Sequence, residues 1–137
     1  MKDGDETMKV LVYSDDRTVR EEIRLALGRK VARDLPEIEL FEVATGPALL
    51  RTLDAGTDYE LIILDGDAQP EGGFGLSYQI KEEYSSCPPV LLLLARLDDA
   101  WLGTWSRAEG LAPYPVDPVM LPEQVAGLIR ERKALSL

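Results

Sequence analysis

In Glu60-Leu61-Ile62-Ile63-Leu64-Asp65, four apolar residues run unbroken and stop abruptly at a carboxylate. Gly56 and Asp58 precede the run and Gly66 and Pro70 follow it, so turn signals bound it on both sides. A short continuous apolar run between such signals reads as a strand buried on both faces. Strands of that kind belong to open parallel α/β sheets, whose ligand crevices lie just outside the strands' carboxyl ends. Asp65 therefore stands where such a fold carries its chemistry.

On either side the pattern alternates between apolar runs and helical periodicity. Val10-Leu11-Val12-Tyr13 reads as a first strand. Val19, Ile23, Ala26 and Leu27 follow at helical spacing, with Thr18 or Asp16 as N-cap. Glu37 to Val43 alternates polar with apolar, as a less-buried strand should. Pro47 can open a helix ahead of Leu49, Leu50 and Leu53. Leu76, Ile80 and Tyr84 mark a third helix, and Val90 to Ala95 is the next apolar run. Trp101, Leu102, Trp105 and Ala108 form a helical stripe that Gly110 is expected to end. Leu111 to Val116 reads as a fifth extended segment. Leu121, Val125, Leu128 and Ile129 mark a last helix, with Arg130, Arg132 and Lys133 suited to its C-terminus.

Alternating strands and helices imply a parallel sheet covered on both faces. The first, third and fourth strands are apolar throughout and belong in the centre. The second alternates, and the fifth contains Pro113 and Pro115, which cannot donate to a ladder, so both belong at edges. The expected fold is α/β: a flavodoxin-like doubly wound five-stranded parallel sheet of order 2-1-3-4-5. Its switch point joins Ser14-Asp15-Asp16 to Asp65-Gly66-Asp67.

The chain has 137 residues, enough to bury a proper core as one domain. Residues 1–7 are expected to be a flexible tail and 8–137 the domain. With 25 Asp+Glu against 15 Lys+Arg the net charge is −10, which repels nucleic acid and anionic membrane alike. No signal peptide and no run near the ~20 residues of a membrane span is present, so a cytoplasmic chain is expected. Cys87, the lone cysteine, fits a reduced compartment as a bland free thiol. Histidine is absent, which removes His-based acid/base, nucleophilic and metal-binding chemistry. Gly72-Gly73-Phe74-Gly75 has neither phosphate-loop spacing, and Gly72 and Gly73 are expected to make a mobile loop.

Carboxylates at two adjacent strand ends suit a hard cation such as Mg2+, which is commonly held by one or two carboxylates with waters and a phosphate. Asp15 or Asp16 could equally cap the following helix. Asp15, Asp65, Asp67 and Asp117, if packed together, should have raised pKa values or hold a divalent ion.

Over roughly Met8 to Lys133 the chain resembles the response-regulator receiver domain of two-component signalling. The likeness rests on Lys9-Val10-Leu11-Val12-Tyr13-Ser14-Asp15-Asp16, Leu61-Ile62-Ile63-Leu64-Asp65, Pro89-Val90 with Ala95, Gly110, and Tyr114 three residues before Asp117-Pro118. The resemblance implies a phosphoaccepting Asp after strand three that binds Mg2+ with a paired acid after strand one. It also implies a Thr or Ser after strand four and a Lys after strand five, both contacting the phosphoryl group. Asp65 then falls on the phosphoacceptor and Asp15 on the second acid. Ser14 replaces the first acid, and Asp16 and Asp67 are the further candidates to hold Mg2+. Leu94 stands where the hydroxyl should be and Asp117 where the Lys should be, with Pro118 kept. The loop before Pro70 is one residue longer than usual. Tyr114 matches the switch aromatic but lacks a hydroxyl to follow, and is expected to be a packing residue.

These departures strike at a chemistry that depends on positioning and electrostatic stabilisation. Losing a cation and gaining an anion beside a charged acceptor costs on the order of 4 kcal/mol per close pair at an effective dielectric near 20. Leu94 cannot donate the hydrogen bond that senses a phosphoryl oxygen. The expected function is a stand-alone atypical receiver without enzymatic activity, signalling by protein–protein contact independently of phosphorylation. The partner is a protein or an identical subunit, on the face of the fourth helix, fifth strand and fifth helix that the resemblance implies for such contacts. Trp101 and Trp105 are expected in the core or half-buried; exposed, they would anchor that partner. The rivals are a genuine phosphoacceptor at Asp65 with Mg2+, and a small-molecule or flavin-binding domain using the same crevice.

Overall fold

A computed structural model of the chain describes residues 7–135, Leu97 by its backbone alone. The elements run β1 (Thr7–Tyr13), α1 (Arg17–Leu27), β2 (Glu37–Val43), α2 (Gly46–Asp54), β3 (Leu61–Asp65), α3 (Gly73–Glu83), β4 (Val90–Leu94), α4 (Ala100–Trp105), β5 (Gly110–Pro113) and α5 (Met120–Leu135). Of the expected tail, residues 1–6 lie outside the described residues, and Thr7 already pairs with Glu37.

All four strand pairings are parallel and the order is β2-β1-β3-β4-β5, as the apolar pattern predicts. Successive strand residues face opposite sides, so the apolar run of β3 feeds two cores at once. Leu61 and Ile63 pack with Val10, Val12, Ile23 and Ile129 on the α1/α5 side. Ile62 and Leu64 pack with Leu11, Tyr13, Leu49, Leu76 and Ile80 on the α2/α3 side. Every residue of β3 and β4 is buried, whereas β2, at the edge, has none. No helix among the described residues is long and apolar enough to cross a membrane. Cys87 is half-buried, and that burial pushes its thiol pKa up.

Two expectations fail at the fourth helix. α4 ends at Trp105 and does not reach Ala108, because Arg107 takes a left-handed φ of 66°. The buried Ser106 hydroxyl meanwhile donates to Gly103 O at 2.6 Å. Gly110 opens β5 instead of closing a helix; a Cβ there would fall 2.9 Å from Leu91 Cδ1. The second failure concerns the tryptophans. Trp101 and Trp105 are 66% and 47% exposed. The helix meets the sheet through Gly103, whose absent Cβ would lie 2.5 Å from Leu111 Cδ2, and residues two positions away point about 200° around the axis. β5 is also shorter than expected, stopping at Pro113 rather than Val116.

Candidate functional site

Asp65 ends β3 beside β1, which places Ser14, the first residue after β1, against it. Ser14 is fully buried, and its hydroxyl donates to Asp65 Oδ2 at 2.7 Å. The Asp67 N–H donates to Asp65 Oδ1 at 3.0 Å. Both oxygens of a carboxylate that is only 9% exposed thus have a neutral donor. The Ser14 oxygen is itself fixed by the Asp16 N–H at 3.0 Å. Among the described residues the ion pairs lie away from Asp65.

The crevice above Asp65 is a cavity of about 280 Å³ that Asp15, Asp16, Asp67, Gln69 and Tyr114 help to line. A larger cavity, about 480 Å³, lies toward the strands' amino ends beside Tyr59 and Tyr84. The sequence-predicted group is only partly gathered at the crevice. Leu94 ends β4 as a buried isobutyl group, 8% exposed. Asp117 does not join the cluster, contrary to expectation. It caps α5, accepting from the Val119 and Met120 N–H groups at 2.8 and 3.0 Å. Those bonds hold its pKa below the usual value, the opposite of the expected rise.

Tyr114 takes the place that spacing had given to Asp117. It is the first residue after β5, a proline follows it, and its side chain walls the Asp65 crevice. Its hydroxyl donates to Glu22 Oε1 of α1 at 2.7 Å. The Asp16 carboxylate accepts from Thr18 N at 2.8 Å as the α1 cap, which leaves that oxygen committed to the helix. Sequence reasoning missed Arg20, which donates to Ser14 O at 2.7 Å and pairs with Glu42. A basic residue one helical turn beyond Asp16 was the available signal.

The loop after Asp65 is fastened where mobility was expected. Gly73 is buried, and a Cβ on it would lie 2.7 Å from the Asp65 carbonyl oxygen, so glycine permits α3 to start directly on the strand end. Tyr13 donates to Glu71 O, and the Glu71 carboxylate lies over Gly46 at the start of α2.

No three His, Cys, Asp or Glu among the described residues form a group that could hold a metal ion. Asp15 and Asp65 share one cavity, which fits a hydrated Mg2+ taking one or two carboxylates but not a closed cage.

Tyr114 and Tyr84 each have a pKa raised to about 12, first by hydrogen bonds to Glu22 and Asp54 respectively and then by burial. A tyrosine raised on folding contributes stability that is fully present below its unfolded value of 10.0 and is lost as pH rises through about 12. Absorbance titration should find these two ionising above the usual tyrosine value of 10.0, with stability falling between pH 10 and 12. Tyr114→Phe should flatten part of that fall.

No family model matches the chain. It is 48% identical over 130 residues to an uncharacterized response regulatory protein of Mycobacterium tuberculosis, with the same figures in two strains. The match covers 95% of this chain and 97% of the relative. The chain belongs to the response regulators. Among solved structures, this response regulator superposes on a receiver domain protein from Clostridium thermocellum with TM-score 0.76 at 22% identity, covering 93% and 98% of the two chains. The receiver domain of a Francisella response regulator gives TM-score 0.75 at 20% identity, covering 91% and 98%. Those two likenesses establish the fold alone.

Proposed function

We propose that this response regulator is an atypical, non-enzymatic receiver that signals by binding a protein partner, without phosphorylation of Asp65. One observation carries the reading: the buried Asp65 carboxylate is held by two neutral donors, with a leucine and a tyrosine at the two positions where the family implies a hydroxyl and a lysine. Among the described residues no lysine or arginine pairs with Asp65, so a phosphoryl group there would lack the side-chain cation that the family implies. At 4 Å and an effective dielectric near 20 such a cation is worth about 4 kcal/mol. Asp117, turned to its helix, neither helps nor repels. The test is incubation with a small phosphodonor and Mg2+, read by intact mass. We expect no phosphoryl gain, and a gain abolished by Asp65→Asn would overturn the reading.

The partner face is supported by α4. Trp105 stacks on Tyr78 of α3 with ring centroids 4.6 Å apart, and the Arg107 guanidinium lies 5.4 Å from the Tyr78 centroid. Trp101, one helical turn before Trp105, is largely exposed. Exposed aromatic and arginine clusters of this kind dominate binding energy at interfaces. The proposed face takes in α4, β5 and α5, and its occupant is a partner protein or a second copy. Tyr114 contributes little there, since its hydroxyl is turned to α1. Trp101→Ala should leave the melting temperature nearly unchanged and weaken the partner complex by about 2 kcal/mol or more, roughly thirtyfold. Calorimetry on the wild type and variant checks it.

A second reading, a phosphoacceptor at Asp65, draws on the acidic rim: Asp15, Asp16 and Asp67 are exposed around the crevice and could help hold Mg2+ as it arrives with a phosphoryl donor. The phosphodonor experiment decides between the two. The carboxylate walls disfavour the phosphate of a flavin.

A further inference from the structure

The segment joining β5 to α5 has few attachments of its own. Tyr114 N–H donates to Leu94 O at 3.0 Å, and the next backbone tie is Leu121 N–H to Asp117 O at 3.0 Å. Pro115 and Pro118 have no N–H to offer. Val119 and Met120 donate only to Asp117, inside the same segment. Tyr114 and Val116 pack against the α1/α5 core, and among the described residues the side-chain hydrogen bond from this stretch to α1 is that of the Tyr114 hydroxyl, which crosses 92 positions of sequence to Glu22.

That hydrogen bond sits between two cavities. On one side Tyr114 walls the Asp65 crevice. On the other, Glu22 lines a cavity of about 230 Å³ with Leu25, Ala26, Val116 and Pro118, between α1 and the segment. Releasing the bond leaves the segment held to α1 by the apolar packing of Tyr114 and Val116 alone.

We infer that the Tyr114–Glu22 hydrogen bond is a latch that fixes the β5–α5 segment against α1, so that this surface keeps one state whatever the charge on Asp65. The inference rests on the reading of Asp65 as a carboxylate that is not phosphorylated. The latch needs only a hydroxyl donor and an oxygen acceptor, so a glutamine at position 22 should still serve.

Amide hydrogen exchange on the full chain tests it, read at Tyr114, Val119, Met120 and Leu121. Tyr114→Phe, which removes one oxygen and keeps the ring, should speed exchange at these amides about tenfold, the effect of losing a hydrogen bond to a charged acceptor. Glu22→Ala should do the same, Glu22→Gln should stay within about threefold of wild type, and Asp65→Asn should leave these amides unchanged. Tyr114→Phe within twofold of wild type, or Asp65→Asn matching it, would overturn the latch. Intact mass after phosphodonor treatment of the same samples keeps the two ideas apart. Phosphorylation with unchanged exchange sinks only the functional reading, and phosphorylation that loosens these amides sinks both.

Discussion

Ser14→Asp should cost about 3–5 kcal/mol of stability at pH 7 without divalent cations, the penalty of an uncompensated buried charge. Ser14 is fully buried and touches Asp65 Oδ2 through its hydroxyl, so the change replaces a donor by a second anion at the same spot. The pair escapes in part by keeping a proton, which raises one carboxyl pKa in the folded state. The folded protein then binds more protons than the unfolded one. The loss therefore grows as pH rises from about 4 to 7 and shrinks on acidification. Millimolar Mg2+ should restore most of it, since the new carboxylate joins Asp15 and Asp65 around one cavity. Urea denaturation with and without Mg2+ measures both effects. A variant as stable as the wild type at pH 7 without Mg2+ would mean that position 14 is better hydrated than its burial implies.

Leu64→Ala should cost about 2–5 kcal/mol, the range for truncating a leucine in a packed core. Leu64 is fully buried, and its side chain lies among Leu11, Tyr13, Leu49, Leu76 and Ile80. Those neighbours belong to β1, α2 and α3, so the site cannot collapse without moving several elements. Against a total stability of about 5–15 kcal/mol, the change should populate the unfolded state measurably at 37 °C. Leu135, 88% exposed, is the control, and Leu135→Ala should change stability by less than about 0.5 kcal/mol. Urea midpoints compared at equal slope test the pair.

The sheet was legible because burial on both faces leaves a signature that composition cannot hide. β3 and β4 are apolar at every interior position, β2 alternates, and β5 carries a proline, and those contrasts gave the strand order. The pairing of Asp65 with the end of β1 followed from that order alone. Where reading failed, a small residue or a turn had the deciding part. Gly103 offers no apolar side chain, yet it is the contact through which α4 meets Leu111, so the tryptophan stripe was assigned to the wrong face. Asp117-Pro118 drew the reading by its proline, while the strand stopped at Pro113 and put Tyr114, with Pro115 after it, at the crevice wall. Helix caps use the same residue types as metal sites, so Asp16 and Asp117 could be sorted only once their oxygens had visible partners.

The margins of the sheet constrain how copies of this protein can meet. β5 is four residues long, ends in Pro113, and has its Leu111 carbonyl taken by Gln124 Nε2 at 2.9 Å. β2 carries Glu37, Glu39 and Glu42, acids that would be stacked against their own images in any added ribbon. Neither border welcomes a sixth strand. Growth into fibres by strand addition is thereby discouraged, and self-association is left to helix surfaces, where it can close on itself and stop.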